Sequence, residues 1–156
     1  MKTKTIIISL TILAIILIMT KKAFAAPTAS KKIRGCDPFG CGSFGAGRGE
    51  RKHQGEDFTV SPGESIFSPI SGTVTRFPFP YGNDLSYTGI EIKNSEHEIK
   101  IFYMTPTVKI GQAIAAGQVI GKAQDIAKKY GASMTNHIHV ELRDKKGTLL
   151  QISNFI

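Results

Sequence analysis

The segment NHIHVE, residues 136–141, places two histidines on either side of an isoleucine. In a β-strand successive side chains point to opposite faces, so His137 and His139 would share one face while Ile138 and Val140 enter the core on the other. The segment therefore predicts a strand that carries two imidazoles to a single site.

A second segment, HQGED at residues 53–57, supplies His53 and Asp57. Gly55 between them, and the strand-like residues that follow, favour a loop that leads into a strand over a helix. Neutral imidazoles with one carboxylate suit Zn²⁺, and three protein ligands leave a fourth tetrahedral position open, as in catalytic zinc sites. Either motif alone is commonly incidental, but together they use three of the four histidines. The fourth, His97, lies in a segment that reads as an exposed turn, and we assign it no role.

Beyond these motifs, short apolar or alternating runs are separated by turn residues, a pattern typical of an all-β domain. One short helix is predicted at 126–130, with Asp125 as its N-cap and Gly131 just beyond its end. The fold class is therefore mostly β, and the length suits one domain with an N-terminal extension. The predicted strands cover 58–60, 65–69, 72–76, 89–93, 100–104 and 118–123.

Residues 26–52 form a basic, glycine-rich arm in which we expect no regular structure. Cys36 and Cys41 would form a small disulfide loop in an oxidising compartment, and zinc binding by this pair is disfavoured because no second cysteine pair exists. The arm's basic residues predict either affinity for anionic surfaces such as a cell wall or glycan, or a solvated charged segment. These residues are Lys31, Lys32, Arg34, Arg48, Arg51 and Lys52.

Residues 1–25 predict a cleaved signal peptide, because an apolar run at 5–20 follows Lys2 and Lys4 and an A-x-A pattern occupies 23–25. An uncleaved membrane anchor is the alternative, although the run is short for a bilayer, which needs roughly 20 apolar residues. Either interpretation places the folded part outside the cytoplasm, as a secreted, periplasmic or extracellular protein. Loss of the leader's four lysines would lower the formal charge from +8 to +4. No nucleic-acid partner is expected.

Over residues 51–143 the order of motifs resembles that of the lysostaphin/LytM-type zinc metallopeptidases. HQGEDF resembles the first zinc motif, H-x-G-x-D, and HIHVELR resembles the closing H-x-H-x-E motif. The intervening segments SPGESIFSPISGTV and VKIGQAIAAGQVIG also resemble the family's pattern. The resemblance implies a single domain at 53–156, a largely antiparallel β-sheet, and a groove floored by one Zn²⁺.

Residue by residue, the resemblance makes His53, Asp57 and His139 the zinc ligands and His137 the catalytic histidine. It implies an endopeptidase that acts on peptidoglycan cross-links or glycine-rich peptides. One departure concerns the family's Y-x-H-L segment, which here reads YMTP at 103–106 and puts Thr105 in the place of a second active-site histidine. Tyr103 or Thr105 would then be a weak donor to the developing oxyanion, and losing one such donor typically costs ~10² to 10³ in rate.

The segments KKIRGCDPFGCG and KIFYMTP resemble a different branch of the same superfamily, the secreted animal chemotaxins. This branch also lacks the second histidine, although its two further disulfides have no counterpart here. It implies an alternative function: a zinc-binding secreted protein that recognises a cell-surface receptor or glycan and has little or no peptidase activity. A third possibility is a scaffold that binds no metal.

Overall fold

The structure, a computed structural model, describes residues 24–156. The predicted signal peptide therefore lies outside the described residues, except for Phe24 and Ala25. The ring of Phe24 packs against those of His97 and Phe155, with centroids 5.1 and 4.8 Å apart. Among residues 24–156, none of the helical segments has the length and hydrophobicity of a membrane span.

Short strands dominate the described residues, so the prediction of a mostly β fold is confirmed. Within residues 24–156 they are accompanied by one helix, α1 (Ala127–Tyr130), and a final 3₁₀ turn (Ile152–Asn154). The strands are β1 (Cys36–Asp37), β2 (Gly40–Cys41), β3 (Gly47–Arg48), β4 (Arg51–Lys52), β5 (Glu56–Thr59), β6 (Ser65–Phe67), β7 (Gly72–Arg76), β8 (Gly89–Lys93), β9 (His97–Phe102), β10 (Met104–Pro106), β11 (Ala113–Ile114), β12 (Val119–Ala123), β13 (His137–Asp144) and β14 (Leu149–Leu150).

The larger sheet is antiparallel and has the order β11-β7-β8-β9-β13-β14, with β5 also paired to β13. Its central strands alternate apolar and polar residues, as strands with one buried face do. The apolar face packs into the core through fully buried side chains that include Ile90, Ile92, Ile99, Ile101, Ile138 and Leu142. Because the period is two, the opposite face of β13 carries His137, His139 and Glu141.

A second antiparallel sheet of three strands has the order β10-β12-β6. The chain passes from the first sheet to the second at Tyr103, so the single strand predicted at 100–104 is divided. Tyr103 has φ +65°, a left-handed conformation that bulky side chains rarely adopt. The N–H groups of Tyr103 and Met104 both donate to the carbonyl of Thr88, at 2.9 and 3.2 Å. These bonds stabilise the change of direction between β9 and β10.

The prediction that the arm lacks regular structure is wrong. The arm contains two hairpins, β1–β2 and β3–β4. The predicted disulfide between Cys36 and Cys41 closes the first hairpin and is confirmed. Backbone bonds then tie the arm to the domain, including Asp57 N–H to the Gly42 carbonyl at 2.9 Å and Arg34 N–H to the Asp57 carbonyl at 2.7 Å. The glycine-rich composition of the arm did not indicate these hairpins, because they are stabilised by contacts with the folded domain.

The short helix is present, but its predicted N-cap is wrong. Asp125 makes no capping bond, and the side-chain oxygen of Asn136 accepts the Ala127 N–H at 3.0 Å. Asp125 accepts instead from the Asn136 amide at 3.1 Å.

His97 also differs from expectation, because it begins β9 and is half-buried beside Phe24.

Candidate functional site

Strands β5 and β13 bring two of the predicted metal ligands together. Asp57 is the direct cross-strand partner of His139, so both side chains rise from the same face of the sheet. The Asp57 Oδ1 lies 2.9 Å from His139 Nδ1 and 3.2 Å from His53 Nε2. The two imidazole nitrogens are 2.9 Å apart. These three atoms form a nearly equilateral triangle.

His53 reaches this triangle from the loop between β4 and β5. Its Nδ1 lies 2.9 Å from the carbonyl of Ser43, which can only accept, so in the neutral ring Nδ1 carries the proton and Nε2 presents a lone pair. The glycine of the H-x-G-x-D motif has a steric role, since a Cβ at Gly55 would collide with the Val140 carbonyl and lie 2.9 Å from Cε1 of His139.

The geometry fits a tetrahedral divalent ion. Bonds of about 2.0–2.2 Å in a tetrahedral zinc site separate ligand atoms by roughly 3.3 Å or slightly more, close to the edges of this triangle. The Nε2 of His139 faces the Glu141 carboxylate at 3.4 Å, so the proton of neutral His139 belongs on Nε2 and its Nδ1 also presents a lone pair. Two nitrogen lone pairs and a carboxylate oxygen converge here, and this arrangement requires a cation.

Without a metal, a proton on His139 supplies that cation. Burial lowers the pKa of His139, but hydrogen bonds with Asp57 and Glu141 outweigh it and raise the pKa to about 9. Burial alone would raise the pKa of Asp57, yet hydrogen bonds from His139 and His53 hold it well below its usual range. Asp57 is therefore an anion at neutral pH, as a metal ligand must be.

The other oxygen of Asp57 is occupied by Arg34. The Arg34 Nη2 and Nε lie 2.9 and 3.2 Å from Asp57 Oδ2, and the Arg34 side chain is only 3% exposed. The same guanidinium donates to the carboxylate of Asp37 and to the Gly40 carbonyl, both within the disulfide hairpin. The hairpin therefore orients Asp57 so that Oδ1 faces His53 and His139.

His137 is buried beside the triangle. Its Nδ1 donates to the Thr135 carbonyl at 2.6 Å, which leaves Nε2 with a lone pair, 3.8 Å from Asp57 Oδ2. Burial lowers the pKa of His137 below its ordinary value, so the ring is neutral at pH 7. The Thr135 N–H donates to Asp37 at 3.2 Å, so the disulfide hairpin also supports this histidine.

The structure places Tyr103, and not Thr105, beside His137. The rings of Tyr103 and His137 meet edge to face, with centroids 5.5 Å apart. Thr105 lies in β10 opposite Lys122, is exposed, and does not line the groove. The left-handed conformation at Tyr103 explains the difference, because beyond it the chain leaves the sheet that carries His137 and Thr105 pairs with β12 in the second sheet.

A groove of about 470 Å³ contains the three clustered side chains and His137. Its remaining lining is partly aromatic, with Phe39, Phe79, Tyr103 and Tyr130, and partly cationic, with Arg34, Arg48, Arg51 and Lys52.

Sequence reasoning missed the role of Arg34, which it treated as one of several basic arm residues. The only local signal is its position two residues before a cysteine of the disulfide loop.

Comparisons with known proteins agree with this fold. Residues 51–151 match the profile of Peptidase family M23. Leukocyte cell-derived chemotaxin-2 from Mus musculus is 33% identical over 138 residues, which cover 88% of this chain and 90% of that relative. Among solved structures, a zinc-containing peptidase from Vibrio cholerae superposes with a TM-score of 0.61 at 23% identity, over 85% of this chain and 40% of that one. The catalytic domain of the antimicrobial peptidase lysostaphin from Staphylococcus simulans gives 0.54 at 22%, over 76% and 90%.

Proposed function

Because the chain belongs to peptidase family M23, we propose that it is an exported zinc metalloendopeptidase acting on peptidoglycan cross-links or glycine-rich peptides. The observation that carries the proposal is the convergence of two imidazole lone pairs and one carboxylate oxygen within 3.2 Å of one another. A neutral, buried His137 lies next to them in the same groove.

In this proposal His53, Asp57 and His139 hold the ion. When bound, Zn²⁺ supplies a Lewis acid that polarises the scissile carbonyl and makes water nucleophilic near neutral pH. Arg34 keeps the second oxygen of Asp57 occupied, and Glu141 accepts from the ring of His139. Such partners fix the orientation of metal ligands.

His137 is the proposed general base. Its Nδ1 proton is committed to Thr135, so Nε2 accepts a proton from the attacking water and then donates it to the leaving amine. The phenol of Tyr103 has a pKa raised by burial and stays protonated, so we assign it the role of oxyanion donor. A neutral phenol is a weaker donor than a cationic imidazole, and slow turnover is expected.

A second candidate function is a zinc-stabilised, secreted binding protein without peptidase activity. It is favoured by the identity to leukocyte cell-derived chemotaxin-2 and by the tyrosine beside His137. In this case the ion would contribute to folding stability, because binding that occurs only in the native state stabilises that state.

Zymography on purified peptidoglycan, with and without a chelator, separates the two functions. The peptidase function requires clearing that a chelator abolishes, that Zn²⁺ restores, and that His137→Ala removes while zinc content is unchanged. If the zinc-loaded protein leaves both peptidoglycan and pentaglycine intact, the binding function stands and the peptidase function fails.

A further inference from the structure

Two of the four cations that line the groove have no internal counter-charge. Arg51 and Lys52, in β4, are exposed and line the groove. In the described part of the chain neither side chain approaches a carboxylate closely enough for an ion pair, since every such pair involves other residues. These two cations are therefore available to a ligand.

The acidic side chains in the same groove are already engaged. Asp57 pairs with Arg34 and His139, and Glu141 faces His139 and Arg143. With four basic and two acidic residues in its lining, the groove has an excess of positive charge, which a divalent ion at the triangle would increase. A cleft lined by charge of one sign concentrates ligands of the opposite sign.

From this charge pattern, we propose that the groove selects peptides that carry a carboxylate side chain close to the bond at the metal site, with Arg51 and Lys52 as the residues that recognise it. The inference rests on the proposed function, because it concerns the substrate of the same groove.

Both recognition residues suit this role chemically. Arginine pairs with a carboxylate through two parallel hydrogen bonds, and lysine adds a mobile point charge. Their neighbour Arg48 is held in place, since its Nη2 donates to the Cys41 carbonyl at 2.7 Å. The β3–β4 hairpin thus presents a hydrogen-bonded guanidinium beside two exposed cations. Nearby aromatic side chains, including Phe39 at 39% and Phe79 at 49% exposure, offer apolar surface for the rest of a peptide.

Two peptides that differ in one charge test the inference. The probes are fluorescein-labelled, C-terminally amidated Gly-Gly-Glu-Gly-Gly and Gly-Gly-Gln-Gly-Gly, titrated with the zinc-loaded full chain and followed by fluorescence anisotropy. We expect the Glu peptide to bind about tenfold more tightly at low salt and the difference to shrink at high salt. The double variant Arg51→Gln, Lys52→Gln should reduce the ratio to near one.

The matched control is Lys31→Gln, Lys32→Gln, which removes the same charge from exposed arm residues that do not line the groove. It should leave the ratio unchanged. Equal affinities for the two peptides in the unmodified protein, or an equal loss in both double variants, would overturn the inference. Mass spectrometry of the recovered peptides keeps the two proposals apart: selective binding without cleavage contradicts only the peptidase function, and cleavage without selectivity contradicts only this inference.

Discussion

At the scale of single residues, the two carboxylate oxygens of Asp57 contact different groups and have different roles. Oδ1 faces His53 and His139, while Oδ2 accepts from the buried guanidinium of Arg34. The motif H-x-G-x-D indicated the contacts of Oδ1. The contact of Oδ2 with Arg34 could not be predicted, because it depends on the arm folding back over β5 and joins residues 23 positions apart in the chain.

Arg34→Gln should weaken zinc binding about 10- to 100-fold, the usual cost of losing a group that orients a metal ligand. The reason is that Asp57 Oδ2 loses its two closest donors and the carboxylate is free to rotate. Competition with a chromophoric chelator measures the affinity. Arg48→Gln is the matched control, because Arg48 lies farther from Oδ2, at 3.7 Å. An equal loss in both variants would show that charge alone, and not orientation, is responsible.

Tyr103→His should raise peptidase turnover, whereas Thr105→His should not. Histidine tolerates positive φ better than most residues, and at position 103 it would face His137 as a stronger donor. Thr105 is exposed on β10, outside the groove. Initial rates on a quenched pentaglycine substrate provide the comparison. Higher activity in Thr105→His alone would contradict the placement of these two residues.

At the scale of elements, the alternation of β13 explains how much of the site could be predicted. Period-two patterning alone put His137 and His139 on one face, and register with β5 then set Asp57 opposite His139. The interruption between β9 and β10 at Tyr103 was not predictable, because a tyrosine gives no local signal for a left-handed conformation. The predicted N-cap of α1 is wrong for a related reason. The Ala127 N–H donates to the side chain of Asn136, nine residues further along the chain.

Gly55→Ala tests the close approach of the β4–β5 loop to β13. An added Cβ would collide with the Val140 carbonyl and press on the His139 ring, so His53 and His139 should separate. We expect reduced zinc affinity together with a loss of about 1–3 kcal/mol in the free energy of unfolding, the usual cost of overpacking. Urea denaturation and zinc titration measure the two effects. Gly47→Ala is the control, because no atom lies within 4 Å of its Cβ position, and an equal effect there would contradict the account.

At the scale of the whole molecule, the sheet face that carries the site continues into a network of charges. Glu91 on β8 is buried and pairs with Arg76 and Lys93, at 2.7 and 3.2 Å, and accepts from Thr75 at 2.7 Å. Strand alternation predicts that Glu91 faces away from the isoleucine core. The sequence does not show that Thr75 and Arg76 of β7 and Lys93 of β8 itself are its partners.

Glu91 should make the stability of the protein depend on pH. Burial alone would raise the pKa of Glu91, but Arg76, Thr75 and Lys93 outweigh it and lower the pKa to about 2. A pKa lower in the folded than in the unfolded state means that this stabilisation is complete above the unfolded value near 4.5 and is lost as the pH falls toward 2. Urea denaturation of Glu91→Gln and the unmodified protein should therefore differ at pH 6 and converge near pH 2. A difference that stays constant over this range would contradict the assignment.

In the proposed site His53, Asp57 and His139 hold a single zinc ion with one position left for solvent. Zinc K-edge X-ray absorption on the dialysed protein, with the metal content counted in the same sample, tests it directly. We expect one zinc per chain, four nitrogen or oxygen neighbours at about 2.0–2.1 Å, and two imidazoles among them, with the metal lost in Asp57→Asn. Fewer than two imidazoles, sulfur in the coordination sphere, or full zinc content in Asp57→Asn would contradict it.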